Sequence, residues 1–316
     1  MKKNLSFLGW ALLMTIPFLF VACGDDDDDN TFPINDPKNI VEIAAGDTQF
    51  STLVAALTQA DLVSVLEGPG PFTVFAPTNA AFTAAGIDLN SISDEALKEV
   101  LLYHVLGGAK ITSADIADGQ TYASTASTYG PGDTQLSMLI EKGANGVVIN
   151  GNTNVSTADV DATNGVIHIV DQVILPLDVV GHAAANSNFT TLVGALGAAD
   201  AGLVDLLQTD GPFTVFAPLN SAFAAIQSTV DGLTTEQLAK VLTYHVVAGA
   251  NVKSTDLSNG QEVTSANADE KFTINIDGSV TITDAAGGTS TVVLTDVQAT
   301  NGIIHVLDSV IIPGNL

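Results

Sequence analysis

The sequence predicts an α+β fold built twice in tandem, and two observations carry that prediction. First, three sequence blocks occur twice in the same order. Gly70-Pro71-Phe72-Thr73-Val74-Phe75-Ala76-Pro77-Thr78-Asn79-Ala80-Ala81-Phe82 returns as Gly211 to Phe223, and Tyr103-His104-Val105 returns as Tyr244-His245-Val246 at the same spacing. Ala162-Thr163-Asn164-Gly165-Val166-Ile167-His168 returns as Ala299 to His305 at a slightly shorter one. A period this long, about 140 residues, marks whole domains rather than a solenoid of small units, and a segment of that size can bury a substantial core unaided. Second, helix-period segments come early in each copy and strand-period segments late, which is an α+β order rather than a repeating βαβ one.

Taken in chain order, the segment before Cys23 reads as a signal peptide. Lys2 and Lys3 precede an apolar stretch from Leu5 to Ala22, and Cys23 follows as the single cysteine of the chain. A membrane-spanning helix is the competing reading, opposed by Pro17 and by the lack of positive charge after the segment. Phe20-Val21-Ala22-Cys23 resembles the lipobox of bacterial lipoproteins, with Phe in place of the usual Leu. The resemblance implies cleavage before Cys23, lipidation there, and export to the cell envelope. With one cysteine the chain forms no internal disulfide, so its core alone must stabilise it. Asp25 to Asp29 form an unbroken acidic run that stays solvated and extended. It reads as a hydrated tether over 23–37, and it resembles the surface-export signal of Bacteroidetes lipoproteins. A plain Asp run lacks the interleaved ligands and turn glycine of a calcium loop.

Within the copies (38–178 and 179–316), Phe50, Leu53, Val54 and Leu57 lie at i, i+3, i+4 and i+7, as do Phe189, Leu192, Val193 and Leu196. Each set is the apolar stripe of a helix. A second short helix, Leu62 to Leu66 or Leu203 to Leu207, ends at Gly-Pro punctuation. Phe72 to Phe75 and Phe213 to Phe216 read as buried strands, after which Asn79 and Asn220 are placed to cap a short helix. A longer helix follows, opened by Ser93 in the first copy and by a Thr234–Gln237 capping box in the second. The remainder alternates Val, Ile and Thr with Gly, Asn and Asp, giving strands at 135–140, 146–150, 272–276 and 290–294 and closing strands at 166–175 and 303–312.

The Phe-Thr-Val-Phe-Ala-Pro-x-Asn-x-Ala-Phe block, the Tyr-His pair and the closing Asn-Gly-x-Ile-His block resemble the fasciclin domain family over nearly the whole chain after Cys23. That resemblance implies a wedge of β-strands with packed helices and an extracellular role in adhesion. Expected partners are the extracellular matrix, a cell-surface protein or a polysaccharide. In animal members Tyr-His and Asp-Ile segments are implicated in adhesion. The resemblance therefore marks Tyr103, His104, Asp159, Val160, Tyr244, His245, Asp296 and Val297 as candidate binding residues, with Val here in the place of Ile.

Charge excludes other classes. Nine lysines, no arginine and 35 acidic residues give a net charge of −26, and cleavage before Cys23 removes two of the lysines and moves it to −28. Nucleic acid and anionic membrane surfaces need a basic footprint, so neither is expected as a partner; membrane contact is through the lipid alone. His104 and His245 end apolar helix stripes and His168 and His305 lie in apolar strands, so all four are expected in the core, where a buried ring needs a hydrogen-bond partner. His182 has no counterpart in the first copy and is expected to be exposed, in a short connector over 181–188 that allows limited hinge motion. No histidine pair has zinc spacing, and no nucleophile elbow or phosphate loop occurs, so no metal, cofactor or catalytic residue is expected. An envelope carbohydrate-binding accessory role is the alternative, although Trp10, the only tryptophan, falls in the signal segment.

Overall fold

The computed structural model describes residues 36–199, 202–267, 270–314 and 316. The expected signal peptide, Cys23 and the acidic run lie outside them. No helix among the described residues is long and apolar enough to cross a membrane.

The first copy begins with α1 (Ile40–Ala45), α2 (Ser51–Gln59) and α3 (Val63–Leu66), then β1 (Phe72–Pro77), α4 (Asn79–Ala84) and α5 (Asp94–Tyr103). The strands β2 (Val105–Gly107), β3 (Gly119–Ser124), β4 (Ser137–Gly143), β5 (Gly146–Ile149), β6 (Thr153–Ala162) and β7 (Gly165–Val170) follow. The second copy repeats this order with one short helix added, as α6 (Val179–Ala185), α7 (Thr190–Ala199), α8 (Leu203–Leu207), β8 (Phe213–Pro218), α9 (Asn220–Ala225), the added α10 (Gln227–Val230) and α11 (Thr235–Tyr244). Its later strands are β9 (Val246–Ala248), β10 (Gln261–Thr264), β11 (Lys271–Asp277), β12 (Ser279–Thr283), β13 (Thr289–Ala299) and β14 (Gly302–Leu307). The closing strands stop at Val170 and Leu307, earlier than the apolar run suggests, because the residues beyond them turn into loops.

In the described residues each copy forms one seven-stranded sheet, ordered β2-β1-β7-β6-β5-β4-β3 and β10-β11-β12-β13-β14-β8-β9. β1 runs parallel to β7 and β8 parallel to β14; the other pairs are antiparallel. The sheet curls into a barrel-like form: past the end of β3 the Ala126 N–H donates to the Val105 carbonyl at 2.7 Å, and Ala266 repeats this on Val246 at 2.6 Å.

β1 is buried on both faces and apolar apart from Thr73, because it has a core on each side. Val74 and Ala76 face the helices, whereas Phe75 points into the barrel with Tyr103, Leu136, Met138 and Ile149. Side chains alternate across a strand, so a strand between two cores reads as a continuous apolar run.

The helix starts follow the sequence except in one respect. Ser93 caps α5, and Thr234 with Gln237 makes the capping box of α11. Thr78, not Asn79, caps α4. The Asn79 carboxamide reaches back instead to α2, accepting from the Thr52 N–H at 2.9 Å and donating to the Thr48 carbonyl at 2.9 Å. Asn220 does the same with Thr191 and Ser187, so each asparagine caps the earlier helix rather than the one it begins.

Candidate functional site

The Tyr-His pair ends α5 and α11, and the apolar stripe turns both residues inward. Tyr103 and Tyr244 are 0 % exposed, His104 and His245 3 %. The Tyr103 hydroxyl donates to the Ser137 carbonyl at 2.8 Å and accepts from Asn150 at 3.0 Å. The Tyr244 hydroxyl donates to the Lys271 carbonyl at 2.7 Å and accepts from the Ala285 N–H at 3.0 Å. Burial raises both phenols, Tyr244 to about 12, so both stay protonated.

His104 Nδ1 lies 2.7 Å from the Val100 carbonyl, and its Nε2 accepts from the Ile174 N–H at 2.9 Å. That pair of partners requires the neutral ring with its proton on Nδ1. His245 repeats the arrangement with Val241 at 2.7 Å and Ile311 at 3.1 Å. Burial pushes both rings down to about 4. Each ring therefore ties a helix end to the segment beyond the last strand and has no nitrogen left for a substrate.

The Asp-Val pair sits on a β-bulge. β6 and β13 lose register before the pair, and Asp159 and Asp296 take a left-handed conformation with φ of 62°. Asp is among the few non-glycine residues that visit this region readily. The Asp159 carboxylate accepts from the Ser113 N–H at 2.7 Å and from the Ser113 hydroxyl, which holds its carboxyl below the usual range. Its own N–H donates to His168 Nδ1 at 3.3 Å, and His168 Nε2 lies 2.9 Å from the Ile111 carbonyl. Asp296, Ser254, His305 and Val252 repeat the set.

Serine, aspartate and histidine thus come together in both copies, but in the wrong order for nucleophilic catalysis. The hydroxyl gives its hydrogen bond to the carboxylate, and both imidazole nitrogens bond to backbone. The set fastens the loop before β3 to the bulge. Asp159→Ala releases that loop and is expected to lose about 1–2 kcal/mol in denaturant unfolding, whereas Asp159→Asn keeps an acceptor and the left-handed preference and loses less than half of that.

Of the eight residues marked as binding candidates, Tyr103, His104, Tyr244, His245 and Val297 are buried, Val160 and Asp296 are half-buried, and Asp159 is exposed. The five buried side chains are closed to contact from outside the domain. Among the described residues no group of three or more His, Cys, Asp and Glu is arranged to hold a metal ion.

The structure adds two features. Asn164 and Asn301, inside the repeated Ala-Thr-Asn-Gly block, are buried staples whose partners are distant in sequence. Their signal was the repetition itself. The glycine after each is required because a Cβ at Gly165 would stand 2.1 Å from the Phe72 carbonyl oxygen, and at Gly302 2.3 Å from that of Phe213.

The other feature is a cleft between the copies. A hollow of about 580 Å³ is lined by Ser93, Glu95, Glu99 and Tyr129 of the first copy, with Pro176 and Thr300. It adjoins a second of about 430 Å³ that shares Tyr129 and Thr300 and adds Asp178 and Asp210. Tyr129 is 64 % exposed, unlike the buried Tyr103 and Tyr244. It lies in a Tyr-Gly-Pro-Gly segment that the second copy lacks.

Comparison with known proteins identifies relatives of both halves. The fasciclin domain model matches residues 48–176 and 187–313. Protein sll1483 of Synechocystis sp. is 49% identical over 142 residues, covering 43% of this chain and 73% of that protein. Transforming growth factor-beta-induced protein ig-h3 of Sus scrofa is 30% identical over 267 residues, covering 78% of this chain but 35% of its own length. Among solved structures, the FAS1 domain pair from the insect cell adhesion molecule fasciclin I aligns with a TM-score of 0.46 and 18% identity, over 81% of this chain and 91% of that one. Fasciclin domains are known from cell-adhesion and matrix-interacting proteins. With both halves matched by the same model, the chain belongs to the fasciclin domain family.

Proposed function

We propose that this chain is a surface-displayed adhesion protein that binds extracellular matrix, a cell-surface protein or a polysaccharide through its tandem domains. The observation that carries the reading is the fate of the repeated polar side chains. Every repeated Tyr, His and Asp that could serve chemistry is committed to an internal bond in both copies. What faces outward is an acidic surface and an inter-domain cleft. In this reading residues 1–22 are removed, Cys23 carries the lipid, the acidic run over 23–37 lifts domains 38–178 and 179–316 off the outer membrane, and two linked domains add avidity when both engage one surface.

The test is retention of the purified chain on matrix and envelope prepared from the producing cells. Saturable retention is expected, weakening with ionic strength where the partner is cationic. A chain that washes off at every salt concentration contradicts the reading.

The carbohydrate alternative has one observation in its favour, the exposed Tyr129 ring on the wall of the cleft. Aromatic faces are the usual platforms for weakly polar ligands. Tyr129→Ala is expected to lower glycan retention about tenfold or more if sugar stacks there, a loss of about 1.4 kcal/mol. Glycan binding that survives the substitution removes that mechanism.

A further inference from the structure

His182 is neither in a linker nor exposed. It is the fourth residue of α6, 0 % exposed, and neither ring nitrogen has a hydrogen-bond partner. The equivalent residue of α1 is Ile43, which packs on the first copy's own core. In the second copy this position meets the other domain, and that contact is what buries it.

The contact is compact. Tyr122 of β3 packs against the second copy's core, its ring 5.8 Å from that of His182. Its hydroxyl accepts from Asn186 at 3.0 Å. Gln120 bonds Asn188 at 2.7 Å and Ser187 at 3.1 Å, and Ser137 Oγ accepts from the Gln298 N–H at 2.9 Å. The turn at Gly151 lies so close to α6 that a Cβ there would stand 2.7 Å from the Ala185 carbonyl oxygen. Few polar bonds hold the two domains, and each domain keeps its own core on either side of them.

No carboxylate is bonded to the His182 ring. Glu141 on β4 bonds Gln120, and Asp178 caps α6 through Gly181. Asp205 on α8 is exposed, Asp296 on β13 is held by Ser254, and His305 on β14 is bonded through both nitrogens. α7 and the turn over 187–189 carry no charged residue. Tyr122, the aromatic neighbour, is a phenol that burial keeps neutral. The Gln298 backbone approaches the ring but falls outside hydrogen-bonding geometry, so burial dominates and pushes the ring down to about 4.

We infer that His182 makes the pairing of the two domains proton-sensitive, with acidification parting them at the α6–β3 contact while each domain stays folded. A neutral ring is tolerated there, but a charged one is fully buried without a hydrogen-bond partner. Parting the domains returns the ring to solvent, where it ionises near its ordinary value of about 6.5. Proton uptake therefore favours the open form, by up to about tenfold in the open-to-closed ratio for each pH unit between about 6 and 4. His104 and His245 are also buried, but reaching them requires unfolding a domain, which is the costlier event.

The experiment is small-angle X-ray scattering of the full chain from pH 7 to 4.5, with far-UV circular dichroism on the same samples. The radius of gyration is expected to rise on acidification before the dichroism changes. His182→Ile, which installs the first copy's residue, is expected to abolish the rise. Ser137→Ala removes an interface bond but no titrating group, so it is expected to move the rise to higher pH with the same steepness. The inference is overturned if the wild type expands only as it unfolds. It is equally overturned if His182→Ile expands at the same pH as the wild type, or if that variant does not fold and Ser137→Ala leaves the transition where it was.

Discussion

Asn301→Ala is expected to destabilise the second domain by about 3–5 kcal/mol, the largest loss from any single side chain discussed above, because each buried group it leaves unsatisfied costs about 1–3 kcal/mol. The residue is 5 % exposed and joins three elements. Its Oδ1 accepts from the Val179 N–H at the start of α6 at 3.0 Å, and its Nδ2 donates to the Leu207 carbonyl at the end of α8 at 2.7 Å and to the Thr209 carbonyl just beyond it at 2.8 Å. It stands in the turn between β13 and β14. Truncation leaves one N–H and two carbonyls without a partner. Because net stability is typically about 5–15 kcal/mol, the loss is a large share of the total. Equilibrium denaturation measures it. Asn164→Ala gives a second reading of the same staple, since Asn164 holds Ile40, Leu66 and Gly68 alike in the first domain. A loss below about 1 kcal/mol in both variants would mean that water replaces the staple.

The second large effect is on acid stability. Burial holds His104 and His245 at about 4, against about 6.5 in an unfolded chain. With depressed native values the rings stay neutral in the fold and take up protons only on unfolding. Their contribution is therefore complete above about pH 6.5, shrinks as pH falls, and is spent near pH 4. Each ring accounts for about 3 kcal/mol across that window. Burial lowers His305 as well, and the hydrogen-bonded carboxylates Asp159 and Asp308 extend the loss below the carboxylate range. Relief of repulsion among the 35 acidic residues opposes this, but only once carboxylates protonate, below about pH 5. Stability should thus fall steadily from pH 7 to 5 in urea titrations. His245→Gln should flatten the second domain's share of that slope whatever its absolute stability. A rise on acidification, or a slope that the variant leaves intact, contradicts the account.

How much of this was legible in the sequence depends on the range of each interaction. Local signals read well: the i, i+3, i+4 stripes of α2 and α7, the Ser93 cap and the Thr234–Gln237 box all depend on residues a few places apart. The inward turn of His104 and His245 was visible in the same way. Long-range partners were not. Asn79 looked like a cap for the helix it begins, yet its partners lie some 27 to 31 residues earlier. Asn164 serves Ile40 across 124 residues, and in the sequence only its repetition marks it. The sequence places His182 in an exposed connector because repetition reports on packing inside one copy, whereas its burial comes from packing between the two. Tyr129 and the cleft escaped for the same reason.

The claim at the centre is that the repeated residues build two scaffolds whose outward surfaces attach cells to matrix or to one another. The measurement that tests it most directly is attachment, aggregation and biofilm mass of producing cells with the gene deleted, and again with the wild-type gene restored. The account predicts a clear fall on deletion and recovery on restoration. Unchanged attachment, aggregation and biofilm in the deleted strain would contradict it.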